Sequence, residues 1–360
     1  MNIQKIALIR TDLIGDFLLW LESADKIRKT YPSAHITLIC NNIYVELAQE
    51  MACFDQIITL DIQKLRKFNL IYLLKTYAKL RQKTYDLLIN PMITRNSIVD
   101  LLSLFINAKV KVASNADYNK YKILKPLFDK FYGKLIGISI TGLHELELNN
   151  LLCNQLLNRS SDTELPNLID LLKIPPSKFS LEGFKQYIAV NLSTSTSSRN
   201  WPLNNFEKLL ANVPKDIAII IIGSKNEQPL ANQIIQSLAK YNQIIDKTGK
   251  TTLIESLTII KSARVFIGNE SALVHLATLL NTNTISFLGG GYAHRFLPYP
   301  SNLVANTSAQ HKVLYKRLPC FNCNWHCQYP LENNTTWRCI ANISLDDAIS
   351  ALSESLNNEM

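Results

Sequence analysis

The chain predicts an α/β protein with two doubly wound, Rossmann-like domains facing a cleft, and three observations lead there. At 360 residues it is long enough for two hydrophobic cores, since a domain commonly takes about 150 residues. Short apolar runs alternate with helical patterns twice over, once on each side of an irregular middle stretch. Between the two runs, Ile174-Pro175-Pro176-Ser177 cannot continue a helix and reads as an interdomain linker.

In the first run, strands are predicted at 5–9, 35–40, 56–60, 85–90 and 109–113. Helices fill the intervals, among them 15–30 and 64–82, the order of a parallel sheet covered on both faces. A less regular stretch covers about 115 to 180. The alternation restarts with strands at 187–192, 217–222, 243–246, 264–267 and 283–288, separated by helices near 203–212, 227–240, 252–262 and 271–280. After 290 the pattern dissolves into a cysteine-rich segment. A last helix starts near Ser344, a suitable N-cap followed by Asp346 and Asp347. The expected domains are 1–175, 176–342 with the cysteine-rich segment 319–340 inside it, and a terminal helix over 343–360.

Composition narrows the class further. With 47% hydrophobic and 19% charged residues, the chain is neither disordered nor low-complexity. Its longest apolar runs, such as 217–223, have strand length, well short of the roughly 18–20 residues of a membrane span. Arg10, Asp12 and Asp16 break any signal-peptide core, so the expected location is the cytoplasm. Charge is uneven: residues 61–134 carry 15 Lys+Arg against 5 Asp+Glu, a balance of +10 in a chain of net +9. Within that window Lys120, Lys122 and Lys125 interleave with Tyr118, Tyr121 and Phe128. This reads either as a solvated helix face over an aromatic core stripe, or as a surface for an anionic glycolipid or the anionic inner leaflet. Nucleic acid is not expected as a partner, because no binding motif accompanies the charge.

Seven cysteines, an odd number, argue against a disulfide framework in a cytoplasmic protein. Cys40, Cys53 and Cys153 lie among apolar residues and read as buried thiols. Cys320, Cys323, Cys327 and Cys339 fall within twenty residues and read as a structural zinc or iron site, as reduced thiols packing a small subdomain, or as a redox-labile pair.

Ligands of doubly wound sheets bind beyond the carboxyl ends of the strands, so the strand-to-helix turns are where chemistry is expected. The first turn, Arg10-Thr11-Asp12-Leu13-Ile14-Gly15-Asp16, lacks the dinucleotide fingerprint. Its Asp16 is either a carboxylate favoured by a helix N-terminus or a base for a substrate hydroxyl. After the first strand of the second run, Ser193-Thr194-Ser195-Thr196-Ser197-Ser198-Arg199 offers hydroxyls, backbone N–H groups and one cation to an anion; the alternative is a polar loop. Later, Gly268-Asn269-Glu270-Ser271 opens a helix whose free N–H groups suit a diphosphate. His275 lies one turn inside that helix, where a lone histidine is more often a satisfied core residue.

Taken together, these turns resemble the family 9 glycosyltransferases, typified by the heptosyltransferases of lipopolysaccharide core assembly. Residues 10–16 are similar to the family's R-x-D-x-I-G-D. Arg199-Asn200-Trp201-Pro202 resembles its K/R-x-W-P element, and Gly223-Ser224-Lys225-Asn226-Glu227 its G-x-x-x-E turn. Gly268-Asn269-Glu270-Ser271-Ala272-Leu273-Val274-His275-Leu276-Ala277 is similar to G-N-D-S-G-x-x-H-L-A, and Phe287-Leu288-Gly289 to the strand and glycine that follow. The motifs stand in the family's order over nearly the whole chain. Glu270 and Ala272 depart from the usual Asp and Gly, at the turn that bears on donor choice.

The resemblance implies a GT-B architecture, with the acceptor bound by the first domain and a nucleotide sugar, ADP-heptose, by the second. It implies an inverting transfer to a lipopolysaccharide inner-core acceptor that needs no catalytic metal. Asp16 would act as base and Arg199 would stabilise the leaving diphosphate. Thr194, Ser195, Glu227, Asn269, Glu270, Ser271 and His275 would join Arg199 in the donor site, and Arg10, Lys120, Lys122 and Lys125 would meet the acceptor. The enzyme would work at the cytoplasmic face of the inner membrane, and the last helix would cross back to the first domain. A family 9 transferase for another sugar or acceptor, or a non-catalytic sugar-nucleotide-binding protein, stays open as an alternative.

Overall fold

The computed structural model describes residues 3–115, 117–118, 122–139, 141–160, 162–173, 179–240, 243–305, 307–332 and 335–357. The chain divides into two compact units, Met1–Pro166 with Asp170–Ile174, and Asn167–Ile169 with Pro175–Met360. The linker expected at 174–177 lies outside the described residues.

Each unit is built on a six-stranded parallel sheet. The first contains β1 (Lys5–Arg10), β2 (His35–Asn41), β3 (Gln56–Leu60), β4 (Thr84–Asn90), β5 (Asn107–Ser114) and β6 (Lys134–Ile136), in the spatial order 3-2-1-4-5-6. The second contains β7 (Gln186–Asn191), β8 (Ile217–Ile221), β9 (Ile244–Asp246), β10 (Phe266–Asn269), β11 (Thr284–Phe287) and β12 (His311–Leu314). Its order, β9-β8-β7-β10-β11-β12, repeats that of the first. The central strands are buried on both faces: Ile6–Ile9 and Ile188–Val190 have no exposed surface. That burial explains why they read as unbroken apolar runs. Strand order reverses between β1 and β4 in one sheet and between β7 and β10 in the other. These are the topological switch points, where such sheets hold their ligands.

Differences from the sequence reading are local. The edge strands β6 and β12 were not expected, being short and rich in Lys and His. The helix expected over 15–30 is two helices, Ile14–Leu18 and Leu21–Thr30. That expected over 64–82 is Ile62–Arg66 and Leu70–Arg81, parted at Phe68, whose φ is +53°. The irregular middle contains a thirteen-residue helix, Glu145–Leu157, with His144 accepting from the Leu146 N–H at its amino end. Ser344 does cap the last helix, Leu345–Asn357, accepting from the Asp347 N–H at 3.1 Å. That helix is part of the second unit. Ala348, Ala351 and Leu352 join the core of the second unit beside Ile188 and Ile219, which uses up its apolar face.

Candidate active site

In the first unit, the turn after β1 is fixed from several sides. Arg10 Nε and Nη2 grip both oxygens of Asp12 at 3.1 and 3.0 Å. Nη2 also donates to the Asp16 carbonyl at 2.9 Å, and Nη1 to Asn149 Oδ1 at 3.3 Å. The guanidinium is buried and lies 5.3 Å from the Trp20 ring centre. Burial works against its charge, but Asp12, Asp16 and Glu145 outweigh it and raise the Arg10 pKa. The expectation that Arg10 meets the acceptor is therefore corrected: it is a buried strut of the turn. Asn41, at the end of β2, donates to the Asp12 carbonyl at 3.2 Å, and the Tyr44 hydroxyl to the Arg10 carbonyl at 2.7 Å.

On this scaffold stands Asp16, half-buried in the first turn of Ile14–Leu18, accepting from the Leu13 N–H at 3.3 Å. Its carboxylate faces the Arg10–Asp12 pair closely enough to act on both. Burial pushes the Asp12 carboxyl up, Arg10 pulls it down and Asp16 adds to the rise.

The basic window is used differently from expectation. Lys120 lies outside the described residues, and of Lys122 only the backbone turn Lys122–Leu124 is described. Lys125 Nζ is tied to Asp129 at 2.7 Å and to Asn115 Oδ1 at 2.5 Å. Asp129 in turn pairs with the fully buried Arg95, which also holds Asp100 at 3.0 Å. Lys125, expected to meet the acceptor, thus has its ammonium group inside an ion-pair network.

In the second unit, the turns after β7 and β10 are knitted together at the switch point. Asn269, with no exposed surface, accepts from the Trp201 N–H at 2.7 Å and donates to the Leu192 carbonyl at 2.9 Å. It joins the turns, so the expected donor contact at Asn269 is corrected. Asn191 links two further turns: its Nδ2 donates to Glu227 Oε2 at 2.8 Å, and its Oδ1 accepts from the Ser271 hydroxyl at 3.2 Å. Glu227 also accepts from the Ser224 N–H at 2.8 Å, and its carboxylate fills the space that a Cβ on Gly223 would occupy. Burial pushes the Glu227 carboxyl up, while Ser224 and Ser193 oppose the rise.

The hydroxyl loop has its own internal order. Thr194 donates to the Thr196 carbonyl at 2.9 Å and its N–H to Asn200 Oδ1 at 2.7 Å, whereas Ser195 is exposed. His275 is buried, with Nδ1 2.9 Å from the Tyr299 hydroxyl. Its ring is thus set by Tyr299, beside the turn where the resemblance places the phosphates. Ser271 stands at the N-cap of Ala272–Leu279, at the carboxyl end of β10.

Arg199 is the cation this site presents. It is half-buried, and its guanidinium lies 4.0 Å from the centre of the Trp325 ring. Burial lowers its pKa, with Glu270 and Tyr292 acting in opposition. Burial also pushes the Glu270 carboxyl up to about 7 against the pull of Arg199. Neither Trp325 nor Tyr292 was singled out from the sequence. The signal available was Gly289-Gly290-Gly291: a Cβ on Gly289 or Gly291 would overlap the Trp325 ring, and one on Gly290 would meet Phe321. The three glycines seat the cysteine-rich segment, which in turn carries Trp325 under Arg199.

The four clustered thiols are free; Cys339 is buried and the other three are half-buried. They lie near enough to raise one another: burial first, then Cys323 and Cys327, raise Cys320. The Gly290 N–H donates to Cys339 Sγ at 3.5 Å. Among the described residues no group of three or more His, Cys, Asp or Glu side chains is set to hold a metal ion.

The profile of glycosyltransferase family 9 (heptosyltransferase) matches residues 73–326. The chain belongs to that family. It is a glycosyltransferase. Lipopolysaccharide heptosyltransferase 3 of Escherichia coli (strain K12) is 22% identical over 346 residues, 94% of each chain. A family 9 glycosyltransferase from Veillonella parvula DSM 2008 superposes with a TM-score of 0.77 at 16% identity, covering 98% of this chain and 97% of the other. E. coli ADP-heptose lps heptosyltransferase II superposes with a TM-score of 0.67 at 16% identity, over 98% of each chain. The fold is thus that of the GT-B heptosyltransferases. Among the described residues no helix is long and apolar enough to cross a membrane.

Proposed function

We propose that this family 9 enzyme transfers heptose from ADP-heptose to a lipopolysaccharide inner-core acceptor with inversion at the anomeric carbon. The observation that carries the reading is the knitting of the β7 and β10 turns around Arg199 at the second sheet's switch point. There the diphosphate is met by Arg199, the exposed Ser195, the Thr194 loop and the N-terminus at Ser271. Glu227, set by Ser224 and Asn191, is offered to the ribose. In the first unit Asp16 is offered to the acceptor hydroxyl.

The reaction balances without a further group. The acceptor oxygen forms a bond to the anomeric carbon as the bond to the diphosphate oxygen breaks. The hydroxyl proton goes to Asp16, and the departing electron pair is stabilised on the diphosphate by Arg199 and the helix N-terminus. No step is routed through a metal. A structural metal at Cys320, Cys323, Cys327 and Cys339 is a separate proposal, supported by their proximity; zinc and iron near zero by elemental analysis, with four titratable thiols, removes it.

A panel of nucleotide sugars in turnover assays tests the donor. ADP-heptose is expected to be consumed with an α/β inversion visible by NMR. Turnover of another nucleotide sugar in its place would move specificity to Glu270 and Ala272, and binding without turnover would leave a sugar-nucleotide-binding protein. The acceptor is expected at the cytoplasmic face of the inner membrane, where a lipid-linked sugar is presented.

A further inference from the structure

Among the described residues, most of the large apolar side chains that are exposed fall at 68–77 and 123–131. The first group is the more telling. The Leu70–Arg81 helix packs on its sheet through Tyr72, Leu73, Thr76 and Leu80. Its opposite face should be polar in a surface helix. Instead Leu70, Ile71 and Leu74, at i, i+1 and i+4, are 65%, 68% and 61% exposed. Phe68, just before the helix, is 86% exposed. A contiguous apolar face of this kind marks an interaction surface.

Phe68 supplies a second, independent sign. It follows the Ile62–Arg66 helix in the left-handed region, at φ +53°, with its N–H bonded to the Leu65 carbonyl. Gly or Asn suits that position, and a bulky ring does not. The ring is therefore neither favoured by its turn nor packed on its fold.

Charge identifies the occupant. Residues 62–83 contain seven Lys or Arg and no Asp or Glu. Lys75 and Lys79 are exposed beside the apolar stripe, and Lys67 beside Phe68. A second copy of the chain would bring the same positive charge against itself. An apolar stripe flanked by cations fits the surface of an anionic bilayer.

We infer that the Phe68–Leu74 face docks on an anionic phospholipid bilayer, with Phe68, Leu70, Ile71 and Leu74 entering the headgroup–acyl boundary. The topology gives this a use. The chain leaves the carboxyl end of β3 and returns to the amino end of β4, so Phe68 lies at the edge of the first sheet that also carries Asp16. Docking there turns the Asp16 edge toward a lipid-linked acceptor, a consequence that rests on the function proposed above.

The test is cosedimentation of the full chain with phosphatidylcholine vesicles, with and without phosphatidylglycerol, alongside ADP binding by thermal shift. Phosphatidylglycerol should raise partition by more than about tenfold, and added salt should reverse it. Lys75→Glu with Lys79→Glu, and Leu70→Ser with Leu74→Ser, should each cut partition by about tenfold or more and leave ADP binding intact. Phe68→Asn relieves the left-handed turn, so it should weaken partition while leaving the melting temperature equal or higher. Wild-type partition that ignores phosphatidylglycerol, or variants that partition like wild type, would overturn the inference. So would a lipid-free dimer abolished by the Leu70→Ser, Leu74→Ser pair. Vesicle binding without ADP binding would instead overturn the function and leave the docking face standing.

Discussion

The two units share one strand order, and in each an arginine belongs to the central strand or the turn that follows it, Arg10 as the last residue of β1 and Arg199 eight residues beyond β7, yet the two are used in opposite ways. Arg10 is buried and paired with Asp12; Arg199 is half-buried, stacked on Trp325 and turned to its site. In the first unit the cation builds the turn and the group presented is a carboxylate, Asp16. In the second the turn is built by neutral amides, Asn191 and Asn269, and the group presented is the cation. A half-buried carboxylate and a half-buried cation thus arise from one topology by exchanging which polarity is structural.

The sharpest break of this comparison is at Asp16. Asp16→Asn keeps the shape and the Leu13 N–H contact but cannot take a proton. Turnover should fall by about 10²–10⁴-fold with ADP affinity unchanged. Activity within a few-fold of wild type would remove Asp16 from the base role.

Next come the two arginines exchanged for alanine. Arg10→Ala removes a buried guanidinium and leaves the half-buried Asp12 without its partner, and should lower stability by about 3–5 kcal/mol, read as a reduced urea midpoint. Arg199→Ala should leave that midpoint nearly unchanged and weaken ADP binding about ten- to a hundredfold, the loss of one charge-assisted contact. Equal stability losses from the two would erase the distinction between strut and ligand.

That distinction also measures what was legible in the sequence. Central strands such as Ile6–Ile9 were readable because burial on both faces demands unbroken apolar runs. The switch-point turns were readable because they are where such strands end. What a motif cannot show is which way a polar side chain points. Asn269 and Arg10 both stand in recognisable patterns, and both are internal fasteners. Lys125 belonged to a conspicuous basic window, but its partner Asp129 brings it into the Arg95 network. Trp325 was hidden among cysteines, since its position depends on glycines some thirty-five residues earlier that leave room for its ring.

Trp325 allows a finer test of the second unit's arginine. Stacking under Arg199 is worth about 0.5–2 kcal/mol, so Trp325→Ala should weaken ADP binding by a few-fold and raise its salt sensitivity. Trp325→Phe should recover most of the loss. If the alanine variant binds ADP like wild type, the ring is only a seat for the cysteine-rich segment.

The smallest effect expected concerns pH, and it separates the units again, because it comes from the acid that faces the second unit's cation. Burial raises the Glu270 carboxyl from its ordinary 4.5 to about 7. Between those values the folded protein holds a proton that the unfolded chain has released. The stabilisation is therefore complete below about 4.5 and is lost as pH rises through about 7. Ligand binding follows the same sign. A neutral Glu270 leaves the Arg199 charge to a diphosphate, whereas the ionised form competes for it. Raising the pH from about 6 to about 8 should weaken ADP binding by a few-fold in the wild type, beyond any change intrinsic to the nucleotide. Glu270→Gln removes the titration, so its affinity profile should be flatter and its affinity at the higher pH greater. The nucleotide's own ionisation is common to both proteins and cancels in their ratio. A ratio that stays constant across this range would mean that Glu270 does not govern the charge Arg199 offers.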